Sequence, residues 1–251
     1  MKLTKSIYNI LQYFSTMDDM LIYQGKQVLT TKEKNGSGFT EVPVNGFFDK
    51  PVVVRSLSKF LRLFTYPKID RGYSLESLQD WELGDETNPG ESGLDMFIRS
   101  PGHLIKVTQG SPSFLVKNAV KMKFDNMKFE SSLKFQITHQ QYKQIINDCS
   151  LLDLDMITFT SISNSIIRVI LRRKDNSTNK DTSTYDIEVE HEHKELSVSV
   201  WLNTFSLIDA TDHQIEFGTY HFEEDDIDIP LVKTQSFCDN NYVVKKVILG
   251  I

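Results

Sequence analysis

The residues most able to do chemistry lie in the stretch Asp186-Ile-Glu-Val-Glu-His-Glu-His-Lys194, with Asp181 just upstream. Asp181, Glu192 and Lys194 supply the acids and lysine with which a metal-dependent nuclease holds a metal ion and activates water. His191 and His193 share one strand face at two-residue spacing and could ligate a metal, but no third ligand is evident in the sequence. An exposed strand face that alternates polar and apolar residues produces the same letters, and that is the simpler reading. Asn35-Gly-Ser-Gly38 lacks the Lys-Ser or Lys-Thr that completes a phosphate-binding loop and reads as a hairpin turn. Cys149 and Cys238 have no neighbouring cysteine or suitably spaced histidine, which argues against a disulfide framework and a structural zinc. No Gly-x-Ser-x-Gly or Cys-His pairing marks a nucleophile.

A second pattern is electrostatic. In Arg55-Ser-Leu-Ser-Lys-Phe-Leu-Arg-Leu-Phe64, a helical wheel puts Arg55, Lys59 and Arg62 within roughly 60° of one another, with Leu57, Phe60, Leu61 and Phe64 on the opposite side. Such a helix packs its apolar face on a sheet and presents cations beyond it. Lys2 and Lys5 repeat the arrangement in an N-terminal helix, and Lys143 in a third. No acid interrupts these outward faces in the first half, although Asp and Glu outnumber Lys and Arg by 34 to 28. Segregation of that kind suits a surface turned toward phosphates, whose contacts with lysine and arginine carry no sequence information. A solvated basic face is the competing explanation. The second half is poorer, with Ser199, Asn203 and Ser206 at the equivalent positions. The Glu223-Glu-Asp-Asp226 and Asp228 run reads as a solvated acidic loop.

The elements needed to position these groups follow from periodicity. Leu3, Ile7, Ile10, Leu11 and Phe14 have helical spacing over 2–14, with Lys2, Lys5, Asn9 and Gln12 opposite. Strand patterns at 20–23, 26–31 and 39–44 form a meander, and 51–54 runs into the helix 55–66, ended by Pro67. Further strands are expected at 72–80, 94–99 and 103–108, with a loop over 84–93. Thr138 opens the third helix, with Ile145, Ile146, Cys149 and Leu152 inward. A strand at 133–137 precedes that helix, and strands at 156–162, 166–172, 185–192 and 196–200, a short helix at 201–209, and strands at 219–222 and 242–249 follow it.

The two halves repeat one another. Thr4, Tyr8 and Leu11 correspond to Thr138, Tyr142 and Ile145, while Leu57, Leu61, Leu63 and Phe64 correspond to Trp201, Phe205, Leu207 and Ile208. Self-similarity at half the chain implies two copies of one helix-meander-helix-meander unit. The chain thus divides into 1–110, an interdomain connector 111–130 around Gly110-Ser-Pro-Ser113, and 131–251. The net charge of −6 and 25% charged residues fit an ordinary globular protein, and no apolar run reaches the length of a membrane span. No membrane association is expected, and the chain reads as intracellular.

Met1-Lys-Leu-Thr-Lys5 before an amphipathic helix, the Met20–Thr31 hairpin, the Leu57–Phe64 helix, the region Leu133–Thr160 and the closing Asn241-Tyr-Val-Val244 strand together resemble the sliding clamps of T-even-type tailed phages, distant relatives of the proliferating-cell-nuclear-antigen clamps. The resemblance rests on patterns and short matches along the whole chain. It implies an α+β DNA-clamp fold: two similar domains, each a β-meander sheet backed by two helices, assembling into a homotrimeric ring. The ring would encircle double-stranded DNA without sequence preference, tether the replicative DNA polymerase to raise processivity, and be opened by an ATP-dependent clamp loader, in the cytoplasm of the infected host cell. It implies no enzymatic activity and neither cofactor nor metal. Carried onto this sequence, the DNA-facing candidates are Lys2, Lys5, Arg55, Lys59, Arg62 and Lys143. The partner pocket beneath the connector would draw on Phe114 and Leu115, with Pro230 and Leu231 from the acidic loop. The lysine-rich stretch 117–128 has no counterpart in the resemblance. The alternatives are a metal-dependent nuclease or DNA-processing enzyme using Asp181, Glu192 and Lys194, and a β-rich viral structural subunit.

Overall fold

The structure is a computed structural model that describes residues 5–17, 21–23, 28–32, 38–43, 52–54, 56–65, 82–85, 95–100, 103–108, 124, 128–174, 181–189, 196–208, 210–222, 227–238 and 242–249. Contacts divide the chain into two compact units, one of 1–34 and 40–121, the other of 35–39 and 122–251. The strand expected at 72–80 lies outside the described residues. No helix among the described residues is long and apolar enough to cross a membrane.

The first unit opens with α1 (Lys5–Met17). Ile7, Ile10, Leu11 and Phe14 are buried, as their spacing requires, and Lys5, Asn9 and Gln12 are exposed. The helix runs one turn past Phe14 to Met17, whose sulfur accepts a hydrogen bond from Thr40 Oγ1 at 3.2 Å. Strands β1 (Leu21–Tyr23), β2 (Val28–Lys32), β3 (Gly38–Pro43) and β4 (Val52–Val54) follow, with β1 antiparallel to both β2 and β4. Helix α2 (Leu57–Thr65) starts with the Phe60 N–H donating to the Ser56 carbonyl at 2.9 Å. It packs on α1 and buries Leu57, Phe60 and Leu61. A three-stranded antiparallel sheet, β5 (Glu82–Asp85), β6 (Asp95–Ser100) and β7 (His103–Thr108), completes the unit. Strand β5 enters a stretch that its Gly, Asp and Glu content marks as loop.

The second unit is two antiparallel sheets and one described helix. Strand β8 (Phe129–Thr138) leads into α3 (His139–Leu152) through a capping box: Gln141 N–H donates to Thr138 Oγ1, and the Gln141 side-chain oxygen accepts from Thr138 N–H at 2.8 Å. One sheet has the order β11 (Ser183–Glu188), β10 (Ile166–Arg172), β9 (Met156–Ser163), β12 (Ser197–Trp201). The other joins β8 to β13 (Asp212–Phe222), β14 (Ile227–Phe237) and β15 (Val243–Leu249) in that order. Their apolar faces enclose Phe135, Phe159, Phe205 and Phe217, with Ile145 and Cys149 from α3.

The sequence expects a short helix at 201–209 and only a brief strand near 219. Instead, Trp201 ends β12 and a single turn follows, in which the Trp201 carbonyl accepts from the N–H groups of Thr204 and Phe205. No helix forms because later backbone groups are taken by side chains distant in sequence. The Tyr142 hydroxyl accepts from Leu207 N–H at 2.8 Å and lies 3.3 Å from the Leu207 carbonyl, while Lys246 Nζ donates to the Ser206 carbonyl at 3.0 Å. Of the positions the repeat makes equivalent, Phe205 is buried as Leu61 is, whereas Trp201 is only half-buried where Leu57 is fully buried. Tyr142→Phe therefore strands two buried backbone groups, and should cost about 1–3 kcal/mol in urea unfolding.

Strands β13 and β14 pair over their full length and contain residues that local patterning leaves as loop. His213, Ile215 and Phe217 point inward at period two, all fully buried. The polar His213 fits there because its Nδ1 meets Ser236 Oγ at 2.9 Å and its Nε2 meets His139 Nδ1 at 3.2 Å. Gly218 sits at a register shift against β8, where any Cβ would collide with the Glu130 carbonyl and the Phe129 ring. Pro230 lies in the part of β14 that precedes its pairing with β15, so its missing N–H breaks no ladder on that side.

Candidate nucleic-acid interface

Lys5 is exposed on α1, Lys59 and Arg62 on α2, and Lys143 on α3. Each stands opposite an apolar stripe that locks the helix phase: Ile10, Leu11 and Phe14 for α1, Leu57, Phe60 and Leu61 for α2, Tyr142, Ile145 and Cys149 for α3. Lys59 and Arg62 are neighbours at i and i+3 on one face. Because α1 packs on α2, Lys5, Lys59 and Arg62 belong to a pair of adjoining helices in one unit. Neither α1 nor α2 contains an acid. The one acid in α3, Asp148, is half-buried and faces Ser183 Oγ at 3.5 Å. Around Lys143 the exposed surface of α3 is Gln140, Gln144, Asn147 and Ser150, all uncharged. Lys2 and Arg55 lie outside the described residues.

The partner-pocket candidates separate. Pro230 is exposed and Leu231 is buried in β14, so both stand in a strand and not in the acidic loop. Asp228 likewise belongs to β14 and meets His221 Nδ1 at 2.9 Å, while 223–226, Phe114 and Leu115 lie outside the described residues. Patterning missed Phe124. It is buried within the second unit, with Lys233 Nζ 4.6 Å and Lys245 Nζ 5.2 Å from its ring centre, and Lys233 also lies 4.7 Å from the Phe129 ring. The one aromatic within the lysine-rich stretch 117–128 is the signal that could have found it.

Asp181 is exposed, and Glu192, Lys194, His191 and His193 lie outside the described residues. Among the described residues no group of three His, Cys, Asp or Glu side chains could hold a metal. Burial, assisted by Asp148 and Asp155, pushes the Cys149 thiol up to about 11. At pH 8 its thiolate is then about one part in a thousand, so iodoacetamide should label Cys238 and spare Cys149 in the folded chain. A raised folded-state value stabilises the fold while the thiol is neutral. This contribution is complete below the ordinary thiol range and disappears as pH rises through about 11.

Antiparallel sheets enclosing apolar cores, with helices presenting cations, define the class: the chain has the DNA-clamp fold. Its backbone matches a chain of the PCNA2–PCNA3 complex of Sulfolobus tokodaii with a TM-score of 0.65 at 12% identity, covering 98% of this chain and 95% of that one. It matches the proliferating cellular nuclear antigen of Entamoeba histolytica with a TM-score of 0.62 at 10% identity, covering 97% and 94%. A DnaN sliding clamp of Pseudomonas aeruginosa, the DNA polymerase III beta subunit, matches with a TM-score of 0.55 at 11% identity, over 92% of this chain and 56% of that one. No family model and no curated protein matches the sequence.

Proposed function

We propose that this protein is a sliding clamp: a ring around duplex DNA that tethers the replicative polymerase and has no chemistry of its own. The observation that carries the reading is the charge segregation on a clamp fold, with cations and no exposed acid on the outward faces of the described parts of α1, α2 and α3 in a chain of net charge −6. An acidic exterior repels DNA while a basic inner wall attracts it, which favours threading over adhesion. The resemblance in sequence patterns supports a homotrimer of the T-even phage type, acting in the infected host cytoplasm and opened by an ATP-dependent loader. Lys2, Lys5, Arg55, Lys59, Arg62 and Lys143 are the proposed wall, and Phe114, Leu115, Pro230 and Leu231 the proposed partner pocket. Strand β11 hydrogen-bonds to β10 alone among the described strands, which leaves an edge for pairing with a neighbouring subunit.

Light scattering at micromolar concentration should give the mass of a trimer, and the protein should remain on nicked circular duplex but leave it after linearisation. A strictly monomeric particle, or equal retention on both forms, rejects the ring. Magnesium-dependent, chelator-sensitive cleavage of the same DNA would instead favour the enzyme built on Asp181, Glu192 and Lys194.

A further inference from the structure

On the β11-β10-β9-β12 sheet, Ile157, Phe159, Val169, Leu171, Val198 and Val200 face the core. By alternation Arg168 and Arg172 of β10 and Ser197, Ser199 and Trp201 of β12 share the opposite face. Arg172 stands two strands from β12, yet its Nη2 lies 3.5 Å from Ser199 Oγ, so the guanidinium reaches across β9. Lys174, just past β10, places Nζ 4.5 Å from the centre of the Trp201 ring. Two exposed cations are thus drawn over one edge strand.

Among the described residues, the neighbouring arginines are ion-paired and these two cations are not. Arg168 is closed by two hydrogen bonds to Asp186, at 2.8 and 3.0 Å, and Arg173 pairs with Asp153. Asp155 turns a carboxylate oxygen to the Lys174 main-chain N–H at 2.9 Å. Neither Arg172 nor Lys174 forms an ion pair with a described carboxylate. Strand β12 pairs with β9 alone, so among the described residues the N–H and C=O groups of Ser197 and Ser199 on its second edge are unmatched, while the Trp201 carbonyl there is taken by the following turn.

We propose that the β12 edge accepts an extended acidic peptide from a partner protein as a fifth strand. Its outward side chains, acidic at every second position, meet Arg172 and Lys174, and its inward ones are apolar beside Val198 and Val200. Main-chain bonds supply sequence-independent affinity, and the two cations select the peptide. A nucleic-acid strand fits less well, because the Lys174 ammonium covers a face of the Trp201 ring on which a base would stack. The surface lies within the second unit and does not depend on ring closure.

The test is hydrogen exchange on the full chain titrated with Glu-Val-Glu-Val-Glu-Val-Glu, its Gln-for-Glu analogue, and oligothymidylate. The acidic peptide should protect the amides of 197–201 and the Gln analogue should bind more weakly. Arg172→Glu with Lys174→Glu should reduce affinity about tenfold or more. Arg172→Gln with Lys174→Gln should fall between and decides the matter if the reversed variant misfolds. Absence of protection at β12, equal affinity of the charge variants, or protection by oligothymidylate in place of the peptide overturns the proposal.

Discussion

Replacing Phe159 with alanine should lower the unfolding free energy by about 3–5 kcal/mol. Phe159 is 1% exposed on β9, opposite Val169 of β10 and Val198 of β12. Its ring centre lies 5.4 Å from those of both Phe205 and Phe217 and 5.9 Å from that of Phe135. These rings come from both sheets and from the segment after β12. Truncation therefore opens a cavity where no single element can shift to fill it, and the cost falls at the upper end for a core residue. Phe159→Leu, which keeps most of the volume, should cost less than half as much. Urea unfolding followed by circular dichroism measures both. A loss below about 1 kcal/mol for the alanine variant would show that the two sheets do not share one core.

Reversing Lys59 and Arg62 to glutamate should weaken binding to nicked circular duplex by about tenfold or more at low salt, with the melting temperature unchanged. Both side chains are exposed and lie opposite Leu57, Phe60 and Leu61, so the variant leaves the packed face intact. Phosphate contacts release condensed counterions. The slope of log affinity against log salt should therefore become shallower along with the affinity, which distinguishes a lost DNA contact from a general decline. The same reversal at Lys32, exposed on β2, serves as the control and should change neither quantity. Wild-type affinity and slope in the Lys59 and Arg62 variant would exclude α2 from the DNA-facing wall.

Much of the candidate interface was legible because a helix phase is a local property. Leu57, Phe60 and Leu61 need one side of α2, which forces Lys59 and Arg62 to the other whatever the sheet does. Thr138 with Gln141 likewise announces the start of α3 within four residues of chain. Strands with clean alternation, such as β10 and β12, were equally visible. Strand β14 was not, since Leu231, Val232, Lys233 and Thr234 are all buried in succession and show no period of two. Such a run arises when both faces of a central strand are covered, here with Lys233 shielded by the rings of Phe124 and Phe129.

The sequence by itself determined where α3 begins, which faces of the three helices are apolar, and that cations and acids are kept apart along the chain. Tertiary structure alone decided that 202–208 is no helix, that β13 and β14 pair over eleven residues each, and that Arg172 and Lys174 converge on β12. The physical reason is distance along the chain. Leu207 is held by a hydroxyl 65 residues away and Ser206 by an ammonium 40 residues away. Interactions of that range outweigh the weak local preference of a short segment, and they exist only once the sheets have closed around it.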